Sequence, residues 1–257
     1  MKKKPSGFWN TIKARWYLKG LKYSTLPEKS LGIILSKTEG CSSFLDVGSG
    51  CGTLALPLAM AGKEVTAIDP SAPMIELLRE EAAQRGLKNL KTLTTTWEEY
   101  DKAPHDVVVC ANVPELIKGS TPFLREAHGC AKGAVFIITG ADPDADKFYY
   151  RELYPLLFQK EFPRRDDYLT TYCALHRLSI FANVEIIDYN FDQPFDDLDE
   201  AVAFWSEYLG LVTDEHDRQL ASFLERKLER RDTGLLARFH KKAAIIWWKK
   251  DKRPQRP

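Results

Sequence analysis

From residue 44 onward, short apolar and β-branched runs alternate with longer stretches in which apolar residues recur every three or four positions. The short runs predict buried strands, and the longer period predicts helices that pack on them. This alternation is typical of βαβ units, which build a parallel sheet with helices on both faces. The predicted strands are 44–47, 64–68, 91–95, 106–111 and 134–139, and the helices between them are 53–61, 72–85 and 122–131.

After Gly140 strands and helices no longer alternate, and two helices rich in Tyr, Phe and Leu are predicted in succession at 146–160 and 167–181. Two further apolar runs, at 184–189 and 243–248, predict strands that complete the sheet. The sequence therefore predicts an α/β fold, a doubly wound, seven-stranded and mostly parallel sheet in a single domain.

The stretch between the last two strands is long, although connections between neighbouring strands are usually short. We therefore expect this insertion, about 190–242, to have a task or a partner of its own, and it contains predicted helices at 197–209 and 214–230. The predicted parts of the chain are an N-terminal helical cap (1–30), a ligand-binding core (31–140), a candidate helical lid (141–182) and the last two strands with the insertion (183–257).

The most informative stretch joins the first strand to its helix through three glycines, Gly48, Gly50 and Gly52. Glycine permits a positive φ and lets a ligand approach the backbone closely. Asp69 ends the second strand, where an open α/β sheet places a carboxylate against the ribose hydroxyls of a nucleoside ligand. Asp46, two residues before the first glycine, suits a cationic ligand but would repel a pyrophosphate, so the pattern points away from NAD.

Asp46, Gly48, Gly50 and Gly52 match the D/E-x-G-x-G-x-G motif, and here the sequence resembles the class I S-adenosylmethionine-dependent methyltransferases. The resemblance implies a Rossmann-like methyltransferase fold, S-adenosylmethionine as methyl donor and S-adenosylhomocysteine as product. It also implies that Asp69 holds the ribose. Further donor-binding positions implied by the resemblance are Ser49, Pro70, Met74 against the adenine, Thr96 and Trp97 beside the adenine edge, and Asn112 near the methionine part.

The sequence departs from motifs of this family at two places, one beside the expected adenine site and one that concerns the class of methyl acceptor. Thr96 stands where many members carry Asp to accept a hydrogen from the adenine amino group. The run from Asn112 to Glu115 does not match the Asn-Pro-Pro-Tyr/Phe motif of enzymes that methylate base amines, which disfavours that route.

The leading hypothesis for the acceptor is a small molecule enclosed by the N-terminal cap and the candidate lid, with Tyr17 and Tyr23 as candidate substrate-binding residues. The alternatives are a methyltransferase acting on RNA or protein, and a donor-binding protein without transferase activity. No catalytic residue is assigned, because Tyr17, Tyr23, Glu115 and His176 are candidate general bases only by location.

The composition is typical of a globular protein and does not distinguish between these functions. Hydrophobic residues make up 44% and charged residues 28% of the 257 residues, as in ordinary globular proteins. Without an apolar run near the roughly 18 residues of a membrane span, we expect a cytoplasmic protein. The five histidines and five cysteines lack metal-binding spacing, so no metal site is expected. The oligomeric state is left open.

The formal net charge of +1 conceals basic ends, which could contact a phosphate-rich partner weakly, although solvated tails are the simpler interpretation. The basic residues at the ends are Lys2, Lys3, Lys4, Lys13, Arg15, Lys19, Lys22, Lys249, Lys250, Lys252, Arg253 and Arg256.

Overall fold

A computed structural model describes residues 8–118, 120–146, 148–164 and 168–250. Its largest element is a seven-stranded sheet, which confirms the predicted fold class. The strands in chain order are β1 (Ser43–Val47), β2 (Glu64–Asp69), β3 (Leu90–Thr94), β4 (His105–Ala111), β5 (Ala131–Gly140), β6 (Asn183–Asn190), then three short strands, β7 (Gln193–Phe195), β8 (Glu229–Arg231) and β9 (Gly234–Ala237), and finally β10 (His240–Lys249).

The large sheet has the order β3-β2-β1-β4-β5-β10-β6, and β10 runs antiparallel to both of its neighbours. The strand order reverses at β1, which lies between β2 and β4. Ligands of open α/β sheets bind at such a switch point, outside the carboxyl ends of the strands. The glycine turn that follows β1 therefore lies at the expected position.

Helices cover both faces of the sheet. Successive residues of a strand point to opposite faces, and in the central strands the residues on both faces are mostly apolar. Phe44 of β1 belongs to one core cluster and Leu45 to the other. On the first face lie α1 (Thr11–Leu21), α2 (Leu26–Lys37), α3 (Ala55–Met60) and α4 (Ala72–Gln84); residues of α5 (Pro114–Ile117) and α6 (Thr121–Cys130) belong to the cluster of the second face.

The start of α4 shows how the sequence sets a helix boundary. Ser71 precedes the helix with extended backbone, and its hydroxyl accepts a hydrogen bond from the Met74 amide at 3.5 Å. Such capping satisfies an amide that has no partner within the helix. Gly86 follows the helix with φ +65, in the left-handed conformation that commonly ends helices. Ser71 and Gly86 thus flank the two ends of this helix.

The candidate lid divides between two parts of the molecule. Its first helix, α7 (Tyr150–Phe158), buries Leu153 and Leu157 in a third core cluster that it shares with the insertion. Its second helix, α8 (Tyr168–Arg177), buries Ala174 and Leu175 against the second face of the sheet.

The insertion forms a small module around Trp205, whose side chain is fully buried. It contains α9 (Leu198–Leu209), α10 (Asp217–Lys227) and a three-stranded sheet of order β7-β9-β8. The predicted helix 214–230 is wrong at its end, because Leu228 adopts extended backbone with ψ 137 and the chain enters β8. That strand consists of three exposed charged residues, so no alternation of apolar positions could reveal it.

The N-terminal cap packs on the first face through α1, and ion pairs link it to its neighbours. Lys22 pairs with Glu81 of α4 at 3.0 Å, and Lys19 pairs with Glu200 of the insertion at 2.8 Å.

Six of the basic residues noted at the ends of the chain lie outside the described residues: Lys2, Lys3, Lys4, Lys252, Arg253 and Arg256. No helix in the described ranges combines the length and the apolar character needed to cross a membrane.

Gly52 provides a test of the packing around the glycine turn. It has φ +101, and a Cβ there would lie 2.6 Å from both Leu56 and Leu78. We expect Gly52→Ala to lower the free energy of unfolding by about 3 kcal/mol, from strained backbone and overpacking together. Gly62→Ala is the control, because Gly62 has φ +78 but open space around its Cβ position, and we expect a loss of about 1 kcal/mol. Equal losses in urea denaturation would contradict the steric part of this explanation.

Candidate active site at the carboxyl edge of the sheet

The glycine turn is held against the end of β2 by backbone hydrogen bonds. The amides of Gly48 and Ser49 both donate to the carbonyl oxygen of Ile68, at 2.8 and 3.0 Å. Gly48 has φ +70, and a Cβ there would lie 2.3 Å from Val113 Cγ2, so a larger residue does not fit. The turn therefore has a fixed position between the ends of β2 and β4.

Asp69 lies beside this turn with both carboxylate oxygens oriented by backbone amides. Oδ2 accepts from the Gly50 amide at 2.9 Å, and Oδ1 accepts from the Ser71 amide at 2.8 Å. Burial raises the pKa of Asp69 above its ordinary value, although the two amides act in the opposite direction. Each carboxylate oxygen keeps a further lone pair, so the group can still accept hydrogen bonds from a ligand.

Asp46 is 1% exposed and lies on β1 directly before the turn. The Ala55 amide donates to its carboxylate, but Oδ2 has no hydrogen-bond partner among the described residues, and neither does the buried hydroxyl of Ser49. Burial raises the pKa of Asp46 to about 7, and the nearby charge of Asp69 adds to the effect. Because buried polar groups are nearly always paired in native proteins, these two indicate a place for a polar ligand group.

Tyr17 of α1 covers the turn from the side of the N-terminal cap. Its hydroxyl lies 3.1 Å from Thr53 Oγ1, and its ring contacts Trp9 and Phe191 at centroid distances of 5.4 and 5.5 Å. Burial raises its pKa above the ordinary value. Tyr23, by contrast, is 53% exposed in the turn after α1, and no contact among the described residues joins it to this site.

The predicted adenine-side residues occupy different environments. Pro70 is exposed beside Asp69, whereas Met74 is 1% exposed in the first core cluster, with its sulfur 4.0 Å from the Cβ position of Gly50. Thr96 follows β3, and its hydroxyl oxygen accepts a hydrogen bond from the Glu99 amide at 3.2 Å. These placements bring Met74 under the turn and leave the hydroxyl hydrogen of Thr96 available for a further bond.

Trp97 lies in the second core cluster and is 5% exposed. Its indole N–H donates to Glu126 at 2.7 Å, its ring packs edge-on against Phe123, and the Lys102 ammonium lies 4.4 Å from the ring centroid. The ring is thus engaged by protein groups, and contact between Trp97 and adenine stays a prediction that this packing does not favour.

Asn112 leaves β4 with φ +55, the left-handed region that few residues other than glycine adopt. Its amide donates to Ile138 at 2.9 Å, while its side chain is exposed. Strained backbone of this kind clusters at functional sites. The candidate bases Glu115 and His176 are both exposed, on α5 and α8, and no contact of the described residues assigns either a catalytic role.

Sequence reasoning missed two residues near this site, Thr53 and Lys241. Thr53 is the partner of Tyr17, and Lys241 lies at the start of β10 with its ammonium 4.9 Å from the ring centroid of Phe191. Both contacts join residues far apart in the chain. A local pattern contains no signal for them.

Comparison with known proteins agrees with this geometry. A family model described as a methyltransferase domain matches residues 44–133. An uncharacterized protein of Haemophilus influenzae is 27% identical over 82% of this chain and 77% of its own length. The ubiquinone biosynthesis O-methyltransferase of Rickettsia conorii is 41% identical, but the match spans only 32% of this chain and 28% of that enzyme.

Among solved structures, the magnesium protoporphyrin IX methyltransferase of Synechocystis, determined with S-adenosylhomocysteine bound, covers 93% of this chain and 87% of its own. Its TM-score is 0.51 at 12% identity, a likeness that concerns the fold. The family match covers the glycine turn, Asp46 and Asp69 together. Residues 44–133 are therefore similar to a methyltransferase domain, and the chain shares its fold with a solved methyltransferase.

Proposed function

We propose that this protein binds S-adenosylmethionine across the glycine turn and transfers its methyl group to a small-molecule acceptor. The observation that carries the proposal is the pair of buried, unpartnered groups, Asp46 Oδ2 and Ser49 Oγ, beside a carboxylate of fixed orientation at Asp69. A cationic ligand with a ribose supplies what these groups lack: positive charge near Asp46 and hydroxyl donors for Asp69.

In this proposal each residue of the site has a distinct binding task. Asp69 accepts hydrogen bonds from the ribose hydroxyls, and Asp46 with Ser49 faces the amino acid part of the donor. Gly50 lets the ligand lie against the backbone, since no Cβ intervenes, whereas the missing Cβ of Gly48 makes room for Val113. Pro70, Met74, Thr96 and Asn112 surround the same edge of the sheet and are proposed contacts of the adenine and methionine parts.

When bound, S-adenosylmethionine supplies a methyl group on a sulfonium that is already an activated leaving group. The protein's contribution is to align a nucleophile with that methyl and to exclude water. Tyr17, which is partly buried, covers the turn through its hydroxyl contact with Thr53, and Trp9 packs against the Tyr17 ring. A general base is optional for this chemistry, and we assign none.

One comparison supports a small acceptor over a macromolecule. Two of the similar proteins are named for ubiquinone biosynthesis and for magnesium protoporphyrin IX, and both ubiquinone and the porphyrin are small molecules. Binding to a polyanion at low salt would favour the macromolecular alternative, and turnover of the donor with any acceptor would dismiss a non-catalytic role.

Calorimetric titration tests the donor directly. We expect micromolar binding of S-adenosylmethionine and S-adenosylhomocysteine, and no binding of NAD, because the Asp46 carboxylate repels a pyrophosphate. If the folded protein bound neither S-adenosylmethionine nor S-adenosylhomocysteine, the proposed donor site would be wrong. Binding of NAD at comparable strength would overturn the charge argument for Asp46.

A further inference from the structure

Helix α1 lies between the proposed donor site and the insertion, and neighbouring residues of one helical turn contact the two. The hydroxyl of Tyr17 lies 3.1 Å from Oγ1 of Thr53, which directly follows the glycine turn. Trp16 and Lys19 instead contact the insertion. Successive side chains of a helix point about 100° apart, so Trp16 and Tyr17 can face different parts of the molecule. The position of Tyr17 therefore depends on how the insertion holds this turn of α1.

Gln193 of β7 holds the backbone of that turn. It is 1% exposed, and its side-chain amide donates to the carbonyl oxygen of Trp16 at 3.1 Å. The two elements pack closely, because a Cβ on Gly20 would lie 2.5 Å from Oε1 of Gln193 and 2.9 Å from the ring of Phe191. The missing side chain of Gly20 thus lets α1 approach β7, and Gln193 fixes the helix there.

Glu200, in the first turn of α9, holds the side chains of the same turn of α1. Its carboxylate accepts from the indole N–H of Trp16 at 3.0 Å and pairs with the ammonium of Lys19 at 2.8 Å. The Trp16 ring, which is 7% exposed, also packs edge-on against Phe204 at a centroid distance of 5.4 Å. The insertion therefore holds α1 through both its backbone and its side chains.

On the opposite side, Tyr17 connects α1 to the partner of Asp46. Thr53 lies two residues before Ala55, whose amide donates to the buried carboxylate of Asp46. Burial is the main cause of the raised pKa of Tyr17, and the charge of Asp46 contributes to it, so the two groups are near each other. A displacement of α1 would thus change the segment that orients Asp46.

We infer that Gln193 and Glu200 are positioning residues for the methyl donor: they hold α1 so that Tyr17 closes over the end of the glycine turn. This inference rests on the proposed function for the identity of the ligand. Among the described residues, the hydrogen bonds of both side chains reach α1 and not the glycine turn, so both act through Tyr17. The insertion, far from the turn in sequence, thereby sets the affinity for the donor.

Calorimetric titration with S-adenosylhomocysteine tests this as a double-mutant cycle. Gln193→Met keeps the length of the side chain but cannot donate to Trp16, and it should weaken binding about fivefold. Tyr17→Phe removes the hydroxyl at Thr53 and should weaken binding by a similar factor. In the Tyr17→Phe background, Gln193→Met should weaken binding by less than about twofold, because the contact that Gln193 positions is already gone. A merely structural role would leave the fivefold effect in both backgrounds.

Glu200 provides an independent test at a less buried position. Glu200→Ala should weaken binding of S-adenosylhomocysteine about fivefold, whereas Glu200→Gln can still accept from the Trp16 indole and should keep most of the affinity. Glu229→Ala is the matched control. Glu229 pairs with Arg238 within the insertion at 2.6 Å, so its loss removes an ion pair away from α1 and should leave binding as in wild type.

Hydrogen exchange without ligand separates this inference from the proposed function. The amides of α1 and of residues 48–55 should exchange faster in Gln193→Met and Glu200→Ala than in wild type, and at the wild-type rate in Glu229→Ala. Unchanged exchange in 48–55, or a fivefold effect that persists in the Tyr17→Phe background, would overturn the positioning role. If wild-type protein bound no S-adenosylhomocysteine, the proposed function would be wrong, and exchange alone would decide whether the insertion holds the turn.

Discussion

Replacing Asp46 by Asn is expected to weaken donor binding and, at the same time, to stabilise the protein at pH 8. The amide keeps the size of the side chain and can accept from the Ala55 amide, but it carries no charge for the donor's cationic groups. Loss of a charged hydrogen bond predicts a weakening of about 2 kcal/mol, roughly thirtyfold, for S-adenosylhomocysteine at pH 8.

The gain in stability follows from the sign of the pKa shift. Burial raises the pKa of Asp46 from 3.8 to about 7, so the folded state binds a proton more tightly than the unfolded chain does. The folded protein therefore loses stability as the pH rises from 3.8 to about 7, because in this interval the unfolded chain has released the proton that the folded protein still binds. Asn removes that cost but leaves an amide without an acceptor, and we expect a net gain of roughly 2 kcal/mol at pH 8 and little change at pH 5.

The pH dependence of the affinity for S-adenosylhomocysteine tests the role of Asp46 more specifically than the affinity at one pH. If the donor binds the ionised form of Asp46, wild-type affinity for S-adenosylhomocysteine should rise about tenfold from pH 6 to pH 8, because the ionised fraction rises by that factor around a pKa near 7. The Asn variant should show no such rise, and the ligand's own titration is common to both proteins. Parallel profiles would remove Asp46 from the donor site, whatever the effect on affinity.

The fold was predictable because the central strands are buried on both faces. Val107, Val108 and Val109 are all fully buried in β4, so the sequence shows an unbroken apolar run there. Predicted and observed strands of the large sheet accordingly overlap throughout. Gly48 and Gly52 were also recognisable, since positive φ and missing space both require glycine.

Contacts between distant residues were beyond the reach of local patterns. Periodicity identifies α7 as apolar but does not say that Leu153 packs with the insertion and not with the sheet. The same holds for Trp97: its position after β3 predicts a contact with adenine, but no local pattern shows that its indole N–H donates to Glu126. A pattern reports which side of an element is buried, and only the tertiary structure decides what buries it.

Replacing Asp69 by Ala is expected to weaken S-adenosylhomocysteine binding by more than about 1.5 kcal/mol, through loss of charge-assisted hydrogen bonds to the ribose. Some of this loss would come from the turn itself, because Asp69 also orders the amides of Gly50 and Ser71. Asp106→Ala is the matched control. Asp106 accepts from the amides of Ser42 and Ser43 at the other end of the sheet, so its loss should lower stability without changing donor affinity.

Ligands that lack one ribose hydroxyl separate the two contributions of Asp69. In wild-type protein, the 2′-deoxy and 3′-deoxy analogues of S-adenosylhomocysteine should each bind about tenfold more weakly than the parent compound. In Asp69→Ala they should bind no more weakly than the parent, because the partner of the missing hydroxyl is already gone. If deletion of the hydroxyls costs the same in both proteins, Asp69 acts only by ordering the glycine turn. Unchanged affinity of Asp69→Ala for the parent compound would exclude even that role, and the ribose would have to bind elsewhere on the edge of the sheet.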